Sequence, residues 1–167
     1  TGEPNNRQSS SFGTGVYKST DAGATFASGG LTATESIGRI IVHPKNPDIV
    51  WVAAVGRLFA ANEDRGVFMT IDGGKNWTKT LFINQDVGAN DLTIDPANPN
   101  HLFASTYERR RTSWGFVGGG FGSGIHESVD GGKTWKRVLS TPTNGLPHGT
   151  MGRIAFDWSR SNPKMLY

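Results

Sequence analysis

The chain has 167 residues, a mass of 18.0 kDa and a formal net charge of +3, enough length for one domain with a sizeable core and too little charge to point to nucleic acid. Its 23 Gly, roughly twice average usage, together with five Trp, nine Phe and few charged residues indicate short strands and tight turns rather than a helical bundle. It has no Cys, hence no disulfide framework and no thiolate metal site, and its longest apolar run, Ile49 to Val55, is far shorter than the ~18 residues of a membrane span.

In chain order, residues 1–14 read as a loop, and Thr1-Gly2-Glu3-Pro4 does not read as a secretory leader. Gly15 then opens a segment that recurs at Gly66 and Gly124, spaced 51 and then 58 residues apart. Each copy reads Gly-apolar followed by Ser/Thr-x-Asp-x-Gly-x-x-Trp/Phe. The copies carry Asp21, Gly23 and Phe26, then Asp72, Gly74 and Trp77, then Asp130, Gly132 and Trp135. A second repeat alternates with the first. Ile40 to Trp51 matches Leu92 to Phe103, and it returns, with two extra residues, from Ile154 to Tyr167. Each of these contains an Asn-Pro turn, at Asn46-Pro47, Asn98-Pro99 and Asn162-Pro163. One unit is therefore two hairpins: strand A, an Asn-Pro turn, strand B, a variable loop, strand C, the Asp-Gly turn and strand D.

Four strands per ~50 residues is the arithmetic of a propeller blade. The expected fold is all-β, a β-propeller segment of four-stranded antiparallel blades. It comprises a half blade over 1–30, blades over 38–83 and 88–140, and a half blade over 152–167. The chain begins just after one strand B and stops inside another, so the expectation is a fragment of a longer propeller. The alternative is an arc closed by homo-oligomerisation.

The Ser/Thr-x-Asp-x-Gly-x-x-Trp/Phe segments resemble the Asp-box, or bacterial neuraminidase repeat, over almost the whole chain. That repeat is found in sialidases, xyloglucan-cleaving glycoside hydrolases, sortilin-type receptors and photosystem assembly factors. The wider pattern, including Ile37-Gly38-Arg39-Ile40 and Arg109-Arg110-Arg111 followed by Trp114-Gly115-Phe116, is similar to large bacterial sortilin-like proteins often labelled glycosyl hydrolases. The resemblance implies an exported bacterial protein, extracellular or periplasmic, whose leader lies outside this segment. It leaves enzyme and binding protein both open.

The repeated Asp reads as structural. Its side chain bonds backbone amides in the turn, Gly takes positive φ, and Trp or Phe covers the hairpin. Calcium needs six to eight oxygens, and Asp-Gly-Gly-Lys supplies few. The A–B and C–D turns are short and share one face. The B–C and D–A loops, over 1–14, 56–64, 84–91, 108–123 and 141–152, are long and varied, and their shared face is the candidate functional one. Arg39, Asp91 and Arg153 align as first residues of strand A, at the channel mouth on that face. They either grip a carboxylate or polyhydroxyl ligand or staple neighbouring blades. The loop with Arg109, Arg110, Arg111, Trp114 and Phe116 either stacks on a ligand or folds over apolar surface.

Glycoside hydrolysis needs two carboxyl groups roughly 5–10 Å apart. Asp91, Glu108 and Glu3 are the candidates, and no spacing selects a pair. Tyr107 next to Glu108 points to the opposite face of a strand, which argues against a sialidase-like nucleophile pair. The four His show no metal-ligand spacing, His43 reads as a turn residue, and no metal or cofactor motif is present. Two readings follow: a scaffold binding a polysaccharide or peptide on the long-loop face, or a glycoside hydrolase with catalytic carboxylates partly outside this segment.

Overall fold

The computed structural model describes residues 1–5 and 10–167, so part of the expected 1–14 loop lies outside the described residues. It begins with a two-stranded hairpin, β1 (Tyr17–Lys18) and β2 (Ala27–Ser28). A 3₁₀ turn at Thr32–Thr34 leads to a four-stranded antiparallel sheet. Its order is β3 (Ile37–Val42), β4 (Val50–Ala54), β5 (Gly66–Thr70) and β6 (Thr78–Leu81). The next sheet runs β7 (Val87–Ile94), β8 (Leu102–Thr112), β10 (Gly124–Ser128) and β11 (Lys136–Val138), while β9 (Gly115–Gly118) pairs only with β8. After β11 the chain forms an irregular hairpin, bridged between Trp158 and Leu166 and closed by reciprocal Asp157–Tyr167 amide bonds of 3.0 Å.

Strand β4 shows why the sheets stack as they do. Successive residues face opposite sides of a strand. Trp51 and Ala53 enter one apolar cluster with Leu92 and Ala104 of the second sheet. Val52 and Ala54 enter another with Val16 of the first hairpin. Burial on both faces is what makes residues 49–55 a continuous apolar run. Small residues let the sheets approach closely. A Cβ on Gly88 would come within 2.3 Å of the Val55 carbonyl oxygen, so only Gly fits there.

The three Asp turns are built alike. Ser19, Thr70 and Ser128 donate their hydroxyls to Oδ1 of Asp21, Asp72 and Asp130 at 2.7, 2.7 and 2.8 Å. The same hydroxyls accept the amides of Gly23, Gly74 and Gly132. Each Oδ1 also accepts an amide four residues on, from Thr25, Asn76 or Thr134, at 2.9, 2.9 and 3.0 Å. The aromatic residue differs among the copies. Trp77 reaches back to the Gly29 carbonyl at 2.7 Å and Trp135 to the Thr80 hydroxyl at 3.1 Å, so each staples its blade to the one before. Phe26 is exposed.

Acid acts on this framework in two steps. Buried His126 sits in the register of Phe68, and desolvation, with Arg137 adding to it, lowers its imidazole to about 4. Between the ordinary 6.5 and 4 the unfolded chain binds this proton and the native chain does not, so stability falls as pH drops. The Asp carboxyls come next. The Thr25 hydroxyl and amide hold Asp21 at about 2, Thr134 does the same for Asp130, and the Asn76 amide holds Asp72 well below 3.8. Stability from these three is complete above pH 3.8 and is lost as pH falls toward 2. His126→Phe is expected to remove most of the first loss, on the order of 2–3 kcal/mol, when urea unfolding at pH 7 is compared with pH 4. An equal loss in the variant would show that His126 is not its source.

Candidate functional site

Strand alignment placed Arg39 and Asp91 at the start of strand A, and the structure corrects this. Arg39 is the third residue of β3 and Asp91 the fifth of β7. Each follows a β-bulge, between Ile37 and Arg39 and between Ala89 and Asp91. A bulge adds one residue to a strand and re-aims the side chain beside it.

Asp91 is 4% exposed and joins three units. Its Oδ1 accepts Arg39 Nε at 2.8 Å and its own neighbour's amide, Leu92, at 3.0 Å. Its Oδ2 accepts the Phe156 amide, from the last hairpin, at 3.2 Å. Asn90 and Ser105 both donate to the Ile154 carbonyl, at 2.6 and 2.9 Å, and hold the same segment. The Asp91 hydrogen bond, partly offset by desolvation, raises the Arg39 guanidinium above its ordinary value, with Asp157 adding to it. Arg153 is exposed and outside this pair. A groove of about 490 Å³ runs past Arg39, Asp157 and Arg160 along β3 and β7.

The stretch expected as a loop over 108–123 is mostly a hairpin. β8 continues to Thr112, turns at Ser113-Trp114 and returns as β9, with Arg111 opposite Phe116 and Arg109 opposite Gly118. Strand alternation separates the three arginines. The Arg109 and Arg111 guanidinium carbons lie 4.7 and 5.8 Å from the Phe116 ring centre. Arg110 turns the other way and pairs with Asp86. Arg109 also donates to the Val117 carbonyl at 3.3 Å, which ties the hairpin together. β9 is exposed along its length, and Trp114 at the tip is 89% exposed.

The remaining candidate acids are engaged locally. Glu108 Oε2 accepts the Gly122 amide at 3.0 Å and Glu3 Oε2 accepts the Ser11 amide at 3.4 Å, so each organises the loop that follows its strand B position. A Cβ on Gly120 would collide with the Glu108 carboxylate at 2.1 Å. Among the described residues no group of three or more His, Asp or Glu is placed to hold a metal ion, and no helix is long and apolar enough to cross a membrane. His148 meets Ser140 Oγ at 3.0 Å.

Sequence reasoning missed Arg65. It is fully buried and clamps this face by donating to carbonyls rather than to a carboxylate. Nη1 donates to Arg109 at 3.0 Å and Asp86 at 3.2 Å, and Nη2 donates to Arg57 and Ala60. Burial lowers its guanidinium to about 10, against the opposing field of Asp86, so it remains charged at neutral pH. One signal was readable. The residue before the Gly that opens each copy is Thr14, Arg65 or Ser123, and only the middle one is charged.

No protein-family model matches the chain, and no curated protein sequence does. Solved structures do match. A GH74 enzyme described as ancestral superposes with a TM-score of 0.66 at 19% identity, over 99% of this chain and 20% of that one. A GH74 xyloglucanase from Xanthomonas campestris superposes with a TM-score of 0.62 at 12% identity, over 92% of this chain and 23% of that one. The chain thus spans about a fifth of the length of these structures. At such identities the likeness is one of fold: the described residues form a segment of a β-propeller, all-β and built of four-stranded antiparallel blades.

Proposed function

We propose that this chain is the ligand-binding arc of a larger propeller ring and takes a polysaccharide or a peptide on its long-loop face. The observation that carries the reading is the β8–β9 hairpin. It fixes Phe116 against two guanidinium groups and leaves Trp114 and Phe116 open to solvent. An exposed aromatic on an ordered support stacks on a sugar ring or an apolar side chain with little entropy to lose. The three hydrogen-bonded Asp turns support the Asp-box resemblance, and with it export to the cell exterior or periplasm. Likeness in fold to a xyloglucanase favours a glycan over a peptide.

The test is binding to a panel of soluble glycans and peptides by calorimetry. Trp114→Ala is expected to weaken binding at least ~10-fold, about 1.4 kcal/mol, without changing unfolding. Undiminished affinity in that variant would remove the hairpin from the site.

A second reading is a glycoside hydrolase, and it draws on the same fold likeness. Its acid and base would come partly from outside residues 1–167, because Asp91, Glu108 and Glu3 already accept backbone amides. Release of reducing sugar from the panel would favour it. Binding without turnover would favour the scaffold.

A further inference from the structure

One side of the β8–β9 hairpin carries cations and aromatic rings and no carboxylate from either strand. Register and strand alternation put Tyr107, Arg109 and Arg111 of β8 on the same side as Phe116 and Gly118 of β9. Glu108 and Arg110 face the other side, where Glu108 accepts the Gly122 amide and Arg110 pairs with Asp86. The two arginines beside Phe116 differ in role. Arg109 donates to the Val117 carbonyl at 3.3 Å and lies over the ring at 4.7 Å, so it braces the hairpin. Arg111 lies 5.8 Å from the same ring. The ion pairs nearby, Arg57 with Asp64 and Arg110 with Asp86, leave Arg111 no carboxylate among the described residues. Beside it the hairpin has a notch. A Cβ on Gly118 would come within 3.1 Å of the Phe116 ring, 3.2 Å of the Tyr107 hydroxyl and 3.4 Å of an Arg109 guanidinium nitrogen. With glycine there, phenol, guanidinium and ring converge on an open point. Phe116 is still 66% exposed, so part of its ring faces solvent. Gly152 adjoins β9, its Cβ position 3.8 Å from the Gly118 carbonyl oxygen, and the exposed Arg153 follows it.

We propose that the glycan taken by this hairpin is acidic, a polymer of uronic acid sugars. This rests on the reading of the long-loop face as a ligand site and names its substrate class. A sugar ring presents an apolar C–H face, which stacks on Phe116 and Trp114. A uronic acid adds a carboxylate at the edge of that ring. A guanidinium beside the stacking surface meets the carboxylate with two parallel N–H donors, and such charge-assisted pairs are roughly twice as strong as neutral ones. Arg111 stands in that position. The notch over Gly118 offers the Tyr107 hydroxyl to a sugar hydroxyl. A neutral glycan would stack as well, but it would cover Arg111 without pairing it, and that desolvation costs binding. A polymer repeats its carboxylate at each sugar, and Arg153 is available to a neighbouring one.

Calorimetry of the 167-residue chain with polygalacturonate and with its fully methyl-esterified form isolates the carboxylate. The acid is expected to bind at least ~10-fold tighter than the ester. Arg111→Gln is expected to bring the two polymers to equal affinity with unchanged circular dichroism, and Arg111→Lys to keep less than half of the difference. Gly118→Ala fills the notch and is expected to weaken binding of both. Equal affinity of the parent chain for acid and ester would overturn the proposal. So would a preference that survives Arg111→Gln. Polyglutamate or dextran sulfate binding as tightly as polygalacturonate would also overturn it, since charge alone would then account for the preference. A chain that binds neutral xyloglucan but not polygalacturonate, and loses that binding in Trp114→Ala, would overturn the acidic substrate and leave the long-loop face standing.

Discussion

Arg65→Met is expected to cost about 3–5 kcal/mol in urea unfolding, the largest loss from a single substitution on the loop face. Methionine fills much of the volume but donates nothing. The carbonyls of Arg57, Ala60, Asp86 and Arg109 would then lose a buried donor together. Arg65→Lys tests the geometry, because an ammonium lacks the planar fork that reaches carbonyls on both sides. It is expected to recover less than half of the loss. The damage should centre on the loop at 57–62 and the root of the β8–β9 hairpin, read as faster amide exchange at Arg111, whose N–H donates to the Leu58 carbonyl. A loss under about 1 kcal/mol would mean that water replaces the clamp.

Asp91→Ala is expected to cost about 3–4 kcal/mol. The buried amides of Leu92 and Phe156 lose their acceptor, and Arg39 loses its partner. Arg39 is half exposed, so its own share is small and most of the cost comes from the amides. Asp91→Asn keeps one acceptor oxygen and should lose about half as much. Arg39→Ala should lose under about 1 kcal/mol. This ordering separates the two roles left open for Asp91. A clamp unfolds in the order Ala, Asn, Arg39→Ala. A catalytic carboxylate would lose turnover in the Asn variant with stability intact.

These two residues mark where the sequence was legible and where it was not. Asp91 was singled out by alignment with Arg39 and Arg153, and alignment carries the register of a repeat. It cannot reveal a bulge, because both units carry theirs at the same place, between Ile37 and Arg39 and between Ala89 and Asp91, so the spacing is unchanged. Arg109, Arg110 and Arg111 looked like one basic run. Their division between Phe116 and Asp86 follows from strand alternation, and it became readable only once residues 108–112 were known to continue β8.

By itself the sequence determined the Asp turns, whose bonds join residues two to four positions apart, and the repeat, whose regular spacing carried the blade pattern. Hairpins, side-chain caps and alternating burial are local physics that a short motif fully specifies. Tertiary structure decided the rest. Arg65 gathers carbonyls from residues 57 to 109, and Asp91 collects amides and a guanidinium from residues 39 to 156. Carbonyl and amide groups are present at every position and leave no mark in the residue pattern. Which of them converge on one buried side chain is settled only when the blades pack.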